Sequence, residues 1–502
     1  MKPAFRLLTT TVLLLTVLSL TAQNGTRLIG YDAKTIGRGG TVTGFFDNPS
    51  LMMNNPGGIA FLSSSQLDIN FSMMTPTVSF KNAYNNAEGK QNYFPLPSIW
   101  YVKKTANSKL TYGIGLYTQG GMGADFELNH PLYKTQAGSY VKQTYHSKFA
   151  VMQGGPSLAY AITSKLAIGV SAHVVYGQMQ FQMPYSLSPS VLKGVINPQT
   201  GMTFGDMFAA PYEAGGLNYS EVTASANMKD LNAFSFAGKI GLAWKPSDKI
   251  SVGLNYNSAT PLHFKNGTAT MDMTAQMNDA FGKVVAGIMQ QNPDMSAEDA
   301  QAAAMQNFAQ MGIDLTKGAM ATYDLSDKFS LPQSIAAGIA VNASKTLRFG
   351  LDVEWINWKN AFDQMELSLT GGVNPNINTM MGNSGSFTIK FPLQWKNTVV
   401  IRTGSEFDLS KKVTGRLGYA YGSNPVPSST VFSIFPAIVE HHAMAGLSVK
   451  LSSPLTLNMA YEHAFKNEQK ASSASLIAEE YNNSTSGLKT SVYHISVSWK
   501  LK

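Results

Sequence analysis

Short runs in which apolar and polar residues alternate dominate the chain. In QLDINFSM (66–73) every second residue is apolar, which places apolar and polar side chains on opposite faces of a β-strand. Runs of about nine to eleven residues suffice to cross a bilayer at a tilt. The alternation recurs in LAIGVSAHVVYG (166–177), ISVGLNYN (250–257), TLRFGLDVEW (346–355), LTLNMAYEHAF (455–465) and VYHISVSWKLK (492–502). The pattern predicts an all-β chain of antiparallel strands.

The connections between these strands differ in length. Short polar breaks such as TSK (163–165), KPSDK (245–249) and LSKK (409–412) predict tight turns, whereas other connections run to tens of residues. Tight turns at one end and long loops at the other are typical of a transmembrane β-barrel. A large soluble β-sandwich also alternates, but it explains this asymmetry and the aromatic terminal strand less well.

Two long connections stand out. Residues 182–232 are irregular and rich in Gly, Pro and Met, whereas residues 275–317 predict a helical hairpin, with Ser296 and Asp299 as a capping box. An apolar stripe on its first helix is a candidate for collecting an apolar ligand, and simple packing of the two helices on each other is the alternative. The stripe contains Phe281, Val285, Ile288 and Met289.

Composition narrows the class of protein. Charged residues make up 14% of the chain, against about a quarter in soluble domains, and mean hydropathy is -0.07. A barrel with one face in lipid and the other in a polar lumen gives such an average. Residues 1–22 read as a secretory signal peptide, and the chain has no cysteine, so packing and backbone hydrogen bonds must hold the exported protein. A net charge of +8 without a clustered basic face argues against nucleic-acid binding.

The sequence gives little support for a catalytic, cofactor or metal site. His441 and His442 are adjacent in a predicted strand and point to opposite faces, which makes them a poor metal pair. GRGGTVTG (37–44) lacks the βαβ context of a dinucleotide fingerprint. We therefore expect no enzyme activity, cofactor or metal; a barrel-embedded hydrolase is the enzyme alternative.

Three further segments carry a family resemblance. They occur in the order seen in the FadL-type outer-membrane transporters, which they resemble. The segments are GRGGTVTG through NNPGGIA (37–60), LPQSIAAGIAVNASKTLRFGLDVEWINW (331–358) and the string from LQWKNT to LSVKL (393–451). The resemblance covers nearly the whole mature chain. It implies an antiparallel barrel of about fourteen strands, residues 66–502, whose lumen is plugged by an N-terminal hatch, residues 23–65.

The hatch contains the family's Asn-Pro element, with one departure. Asn55 and Pro56 match, and Gly57 stands where alanine is usual. Asn54 and Asn55 can satisfy backbone groups that have left water, and Pro56 fixes one bend. A gating role is the functional interpretation of Asn54, Asn55, Pro56 and Gly57, and bracing of the barrel is the alternative.

The resemblance also implies ligand contacts and a side exit. Lys396 matches a lysine that contacts the cargo carboxylate in the family, and alternation places Arg402 on the same strand face as a weaker candidate. A second basic position of the family is replaced by Met183, which favours a more neutral cargo. An inward kink that opens the wall towards the membrane corresponds to YTQGGMGADF, with Gly120, Gly121 and Gly123, or to a simple strand end.

These features together predict passive outer-membrane uptake of long-chain fatty acids or similar hydrophobic molecules, with lateral release. The expected surroundings are outer-membrane lipid and lipopolysaccharide, and the expected state is a monomer. A general porin or a structural outer-membrane protein is the alternative function.

Overall fold

The computed structural model describes residues 25–501, so the predicted signal peptide lies outside the described residues. The strands are β1 Ser65–Lys81, β2 Asn86–Glu88, β3 Phe94–Lys104, β4 Leu110–Leu128, β5 Gln143–Ala161, β6 Leu166–Leu187, β7 Val195–Asn197, β8 Met202–Thr203, β9 Val222–Trp244, β10 Ile250–Asn257, β11 Thr260–Asp272, β12 Met320–Leu331, β13 Ser334–Asn342, β14 Leu347–Ile356, β15 Gln364–Thr370, β16 Phe387–Pro392, β17 Thr398–Asp408, β18 Val413–Gly422, β19 His441–Lys450, β20 Leu455–Lys470 and β21 Thr485–Leu501.

Seven α-helices occur among the described residues. They are α1 Ala33–Gly37, α2 Leu51–Asn54, α3 Phe204–Ala209, α4 Thr274–Gln291, α5 Ala297–Gln310, α6 Trp358–Ala361 and α7 Pro375–Met381. A 3₁₀-helix, Pro56–Phe61, follows α2. Within residues 25–501 no helix is long and apolar enough to cross a membrane.

The strands form a closed antiparallel barrel. Successive barrel strands pair with each other, and β1 pairs with β21 from Ser65–Leu501 to Lys81–Thr485, which closes the ring. The short β2 pairs only with β1, and β7 and β8 form a separate two-stranded sheet. Four of the 14 barrel strands are interrupted and are therefore written as two segments: β10 with β11, β13 with β12, β14 with β15, and β17 with β16. The predicted all-β antiparallel barrel is confirmed.

Alternation along each strand separates a lipid-facing surface from the lumen. On β1, Ile69 and Phe71 are 52% and 43% exposed, whereas Asp68, Asn70 and Ser72 between them are buried. An apolar outer face and a polar inner face are what a barrel in a bilayer requires. The polar residues of the alternation therefore point towards the lumen, where they meet the N-terminal segment.

The long connections lie at one end of the barrel, which we call the long-loop end, and the tight turns at the other, the short-turn end. β6 extends to Leu187 and β9 begins at Val222, so the first long connection is shorter than the predicted 182–232. The second contains the predicted helical hairpin, α4 and α5, and Ser296 caps α5 through the backbone N–H of Asp299.

Candidate functional site

The N-terminal segment, residues 25–64, lies inside the lumen. No residue from 25 to 62 is exposed. Helix α1 contacts β18, β19, β20 and β21, and the 3₁₀-helix contacts β4, β5, β6 and β9 on the other side of the barrel. The segment therefore spans the lumen from wall to wall before the chain enters β1.

The Asn-Pro-Gly element sits against the wall formed by β6, β9 and β10. The Asn55 side chain donates to the carbonyl oxygens of Thr43, at 3.0 Å, and Leu242, at 2.9 Å. Pro56 and Gly57 are buried, and Asn54 is half-buried. Asn55 thus ties two parts of the N-terminal segment to one strand of the barrel.

Wall glycines make room for this element. A Cβ at Gly241 would lie 2.8 Å from Cδ of Pro56 and closer still to the Asn55 side chain, and a Cβ at Gly169 would meet the backbone nitrogen of Gly57 at 2.5 Å. Distances this short are steric clashes, so the close approach of the two backbones requires glycine. We call Gly169, Gly241 and Gly253 the seat glycines.

A cluster of charges fastens the segment near the short-turn end. Asp47 accepts from Lys34 at 3.0 Å and from Arg38 at 2.9 Å. On the wall, Glu406 accepts from Arg416 at 2.6 Å and also pairs with Arg348. Arg348 in turn lies 3.2 Å from Asp47, which joins the segment to the wall. We call these six residues, Lys34, Arg38, Asp47, Arg348, Glu406 and Arg416, the anchor cluster.

Burial and neighbouring charges shape the titration of two anchor groups of the segment, Lys34 and Asp47. Burial lowers the pKa of Lys34 to about 8, in spite of the Asp47 carboxylate. For Asp47, burial alone would raise the pKa, but the charges of Arg38, Lys34 and Arg348 outweigh it and hold the pKa well below its usual range. Asp47 is therefore ionised throughout the physiological pH range, and its charge is balanced by buried cations.

A second buried network fastens the beginning of the segment. Arg27 and Arg402 share the Glu354 carboxylate, with N–O distances of 2.9 Å and 2.7 Å. Arg27 also donates to the Ser334 hydroxyl at 3.1 Å. On the neighbouring inward position, Asp352 accepts from the backbone N–H groups of Val42 and Thr43.

Strand β4 bends inward to meet the same segment. Its pairing with β5 shifts register between Thr118 and Gly120, which marks a bulge. At this point the backbone N–H of Gly121 donates to the Thr26 carbonyl at 3.0 Å, and Arg27 forms a β-bridge with Gly120. A Cβ at Gly120 would clash with that carbonyl. The glycines therefore let β4 pair with the segment inside the lumen.

The bend separates β4 from β3. The two strands pair from Lys104–Thr111 to Ser98–Tyr117 and no further, although β3 continues back to Phe94 alongside β1. Residues 94–97 and 118–123 therefore border a gap in the barrel wall, which we call the side opening.

An apolar cavity of about 440 Å³ lies behind the side opening. Its lining comes from the N-terminal segment, from both edges of the opening, and from loop 423–440. Met152 lines both this cavity and a groove of about 550 Å³ on the lipid-facing surface, beside Ile99, Ile114 and Leu116.

Comparison with known proteins identifies the family. A family model described as outer membrane protein transport protein (OMPP1/FadL/TodX) matches residues 16–501. The chain belongs to this family. Its members are outer-membrane transporters of hydrophobic compounds, and they are channels rather than enzymes. This confirms the predicted family and outer-membrane location.

Solved structures share the fold at low identity. The Pseudomonas putida toluene transporter TodX is 16% identical, with a TM-score of 0.65, over 95% of this chain and 99% of TodX. A Pseudomonas aeruginosa FadL homologue is 16% identical, with a TM-score of 0.65, over 95% and 100%. The Ralstonia pickettii toluene transporter TbuX is 15% identical, with a TM-score of 0.62, over 95% and 99%. No curated protein matches significantly.

The predicted ligand residues of this OMPP1/FadL/TodX protein lie in three places. Lys396 is exposed and precedes β17, so the alternation counted from it begins only at Thr398. Arg402 is buried and paired with Glu354. The structure therefore does not place Lys396 and Arg402 on one strand face.

The stripe on α4 lies at the long-loop end. Phe281 is half-buried, with its ring 6.0 Å from that of Phe308 on α5. Val285 and Ile288 are half-buried, and Met289 is 38% exposed. The stripe thus combines packing between the helices with a partly open apolar surface.

Sequence reasoning missed loop 423–440. Every residue from Thr430 to Glu440 is buried, and Ser147 of β5 donates to the Ile434 carbonyl at 2.5 Å. Phe435 stacks with Phe362, and Pro436 and Val439 line the cavity. The apolar run VFSIFPAIV between two predicted strands was the available signal, because an exposed loop rarely carries so many large apolar residues.

Met183 lies in a related apolar region of the lumen. It is buried beside Met179, Phe181 and Tyr185, and these side chains line a small apolar pocket with Phe391. The surroundings of Met183 are therefore apolar where the family resemblance led us to look for a cation.

A buried acid at the long-loop end makes a pH-dependent prediction. Burial raises the pKa of Glu480 to about 8, although its hydrogen bond from Tyr145 at 2.7 Å acts in the opposite direction. An unfolded glutamate titrates near 4.5. Between these two pKa values Glu480 is protonated in the folded loop and ionised in the opened loop. Its contribution to the stability of the folded loop is fully present below about pH 4.5 and is lost as the pH rises through about 8.

We expect the opening equilibrium of residues 471–484 to rise about tenfold per pH unit between pH 5 and 8. Hydrogen exchange with mass spectrometry, corrected for intrinsic rates, measures it. Glu480→Gln should abolish the slope while keeping the Tyr145 hydrogen bond. An unchanged slope in this variant would refute the assignment to Glu480.

Proposed function

We propose that this protein carries long-chain fatty acids or similar hydrophobic molecules passively across the outer membrane and releases them sideways into the bilayer. The observation that carries the proposal is the apolar cavity behind the side opening between β3 and β4. Cargo enters at the long-loop end, passes the apolar lumen around Met183 and leaves beside Met122. The alternative of a general porin has no observation of its own in its favour.

The N-terminal segment supports a sideways exit. On the way from the cavity to the short-turn end an apolar molecule would meet Arg27, which lines the cavity, then Glu354 and the anchor cluster, all held in ion pairs. Each methylene group moved from an apolar to an aqueous environment costs about 0.8 kcal/mol. A downward exit therefore costs a long-chain cargo far more than a step through the side opening into lipid.

Several predicted residues enter the proposal with distinct roles. The α4 stripe with Phe281, Val285, Ile288 and Met289 collects cargo at the long-loop end, and Lys396 and Arg402 are the proposed contacts of a carboxylate head group. Asn54, Asn55, Pro56 and Gly57 hold the hatch, and Gly120, Gly121 and Gly123 shape the side opening. The protein acts as a monomer among outer-membrane lipid and lipopolysaccharide, because one chain closes the barrel.

Narrowing the side opening tests the route. Met122 lines the cavity, whereas Met459 on β20 faces lipid with 37% exposure and lines neither the cavity nor the groove. Met122→Trp should slow uptake by about fivefold or more, since overfilling a packed apolar site costs about 1–3 kcal/mol. Met459→Trp makes the same substitution on the outer face away from the side opening and should leave uptake unchanged.

Uptake of a labelled long-chain fatty acid and of a neutral aromatic hydrocarbon by proteoliposomes gives the measurement. Equal slowing of both by Met122→Trp supports one apolar exit for both cargo classes. Full uptake in Met122→Trp would contradict lateral release. Uptake of the hydrocarbon but not of the fatty acid by the unaltered protein would restrict the cargo to neutral molecules.

A further inference from the structure

A large basic cavity opens at the short-turn end, below the anchor cluster. Its volume is about 1070 Å³, and its lining includes nine cationic side chains and three acidic ones. The cationic side chains of the lining thus outnumber the acidic ones by six, and the formal net charge of the whole chain is +8. We call this cavity the basic vestibule. Positive charge is thus concentrated at one mouth of the barrel.

The lysines of the rim are unpaired. Lys249, Lys345, Lys411, Lys412, Lys450 and Lys500 line the vestibule from the tight turns and from the ends of β19 and β21. All six are exposed, and none forms an ion pair with another residue between 25 and 501. An unpaired cationic rim around a concave mouth focuses its field into the opening.

The acids of the vestibule do not neutralise this rim. Asp47 and Glu406 are already bound by the cations of the anchor cluster. Asp408 accepts the Thr414 hydroxyl at 2.8 Å and keeps its charge. One carboxylate therefore faces six rim lysines, and most of the charge of the rim lacks a partner within the described part of the chain.

The geometry points to a docked polypeptide. Lipid surrounds a barrel on its outside, whereas these lysines line the mouth of the lumen. A volume of about 1070 Å³ exceeds what a small anion fills and lies at the upper end of small-molecule sites. We propose that the basic vestibule docks an acidic segment of a soluble protein on the short-turn side of the membrane.

The floor of the vestibule connects such docking to the N-terminal segment. Arg348 is half-buried, lines the vestibule and bridges Asp47 and Glu406. A carboxylate of the docked segment competes with Asp47 for Arg348. Docking thereby weakens one link between the segment and the barrel wall.

The experiment uses the full-length protein in nanodiscs of zwitterionic lipid and a fluorescein-labelled deca-glutamate peptide as the probe. Fluorescence anisotropy compares Lys345→Gln/Lys411→Gln/Lys412→Gln with the control Lys103→Gln/Lys109→Gln/Lys165→Gln. The control removes the same charge from the end of β3 and from two tight turns, all outside the vestibule lining. We expect about tenfold weaker binding in the first variant and twofold or less in the control. Heat-modifiable migration on gels verifies that both barrels are folded.

Each other outcome overturns the proposal. Equal weakening in both variants would mean that the probe senses net charge alone. Undiminished binding in the vestibule variant would place the probe elsewhere. Displacement of the probe by inorganic phosphate at constant ionic strength would indicate a small-anion site. Loss of probe binding when the nanodiscs contain anionic phospholipid would indicate that lipid head groups occupy the lysines.

Discussion

Asp47→Ala should release the N-terminal segment from the wall near the short-turn end. Three cations, Lys34, Arg38 and Arg348, converge on this carboxylate, and Arg38 is completely buried. Removing one partner of a buried ion pair costs about 3–5 kcal/mol, because the remaining charge is left without compensation. The local opening equilibrium of residues 33–47 should therefore rise roughly a hundredfold to several thousandfold.

Hydrogen exchange of that segment in the full-length barrel measures the effect, and ion conductance in planar bilayers should rise with it. The matched control is Glu127→Ala, which removes a carboxylate from an exposed pair with Lys90. An exposed pair contributes only about 0–1 kcal/mol, so the control should leave segment and conductance unchanged. If the hydrogen exchange of residues 33–47 in Asp47→Ala equals that in the unaltered protein, the anchor cluster does not hold the segment.

Gly241→Ala should unseat the Asn-Pro-Gly element. The new methyl group would lie 2.8 Å from Cδ and 2.9 Å from the backbone nitrogen of Pro56, and closer still to Oδ1 of Asn55. The proline ring cannot rotate away, and the Asn55 side chain is held by its hydrogen bonds to the Thr43 and Leu242 carbonyls. Overpacking costs about 1–3 kcal/mol, which corresponds to a roughly fivefold to hundredfold increase in opening of residues 54–61.

The same strand provides the control. A Cβ at Gly238 of β9 would find only the Ser258 hydroxyl, at 4.0 Å, so Gly238→Ala adds the same methyl group without a clash. Protection of residues 54–61, followed by hydrogen exchange, should fall in Gly241→Ala and stay constant in Gly238→Ala. Equal protection in the two variants would contradict the role of the seat glycines.

Gating by the Asn-Pro-Gly element is distinct from its seating. If the element only braces the barrel, Gly241→Ala should lower the thermal stability of the barrel and leave conductance unchanged. If it closes the lumen, conductance should rise at a temperature where the barrel is still folded. The two measurements on one variant therefore separate the bracing role from the gating role.

The sequence predicted the local features of the site better than its contacts. Asn55, Pro56 and the three glycines of β4 stood out, because turns, bulges and close backbone approach have their own residue signatures. Their partners did not stand out. Gly241 lies 186 positions from Asn55, and nothing local marks a glycine that faces another backbone. Lys396 shows the same limit, since the family match could not say that it precedes β17 and does not share a strand face with Arg402.

The sequence by itself determined the class of structure: lipid-crossing strands, tight turns at one end, and a capped helical hairpin in a long loop. These features depend on side-chain periodicity and capping within a few neighbouring residues, which the chain states directly. Only the tertiary structure decided where β3 and β4 separate, which strands contact the hatch, and that loop 423–440 lines the cavity. Those outcomes depend on strand register around a closed ring, where each pairing is constrained by all the others.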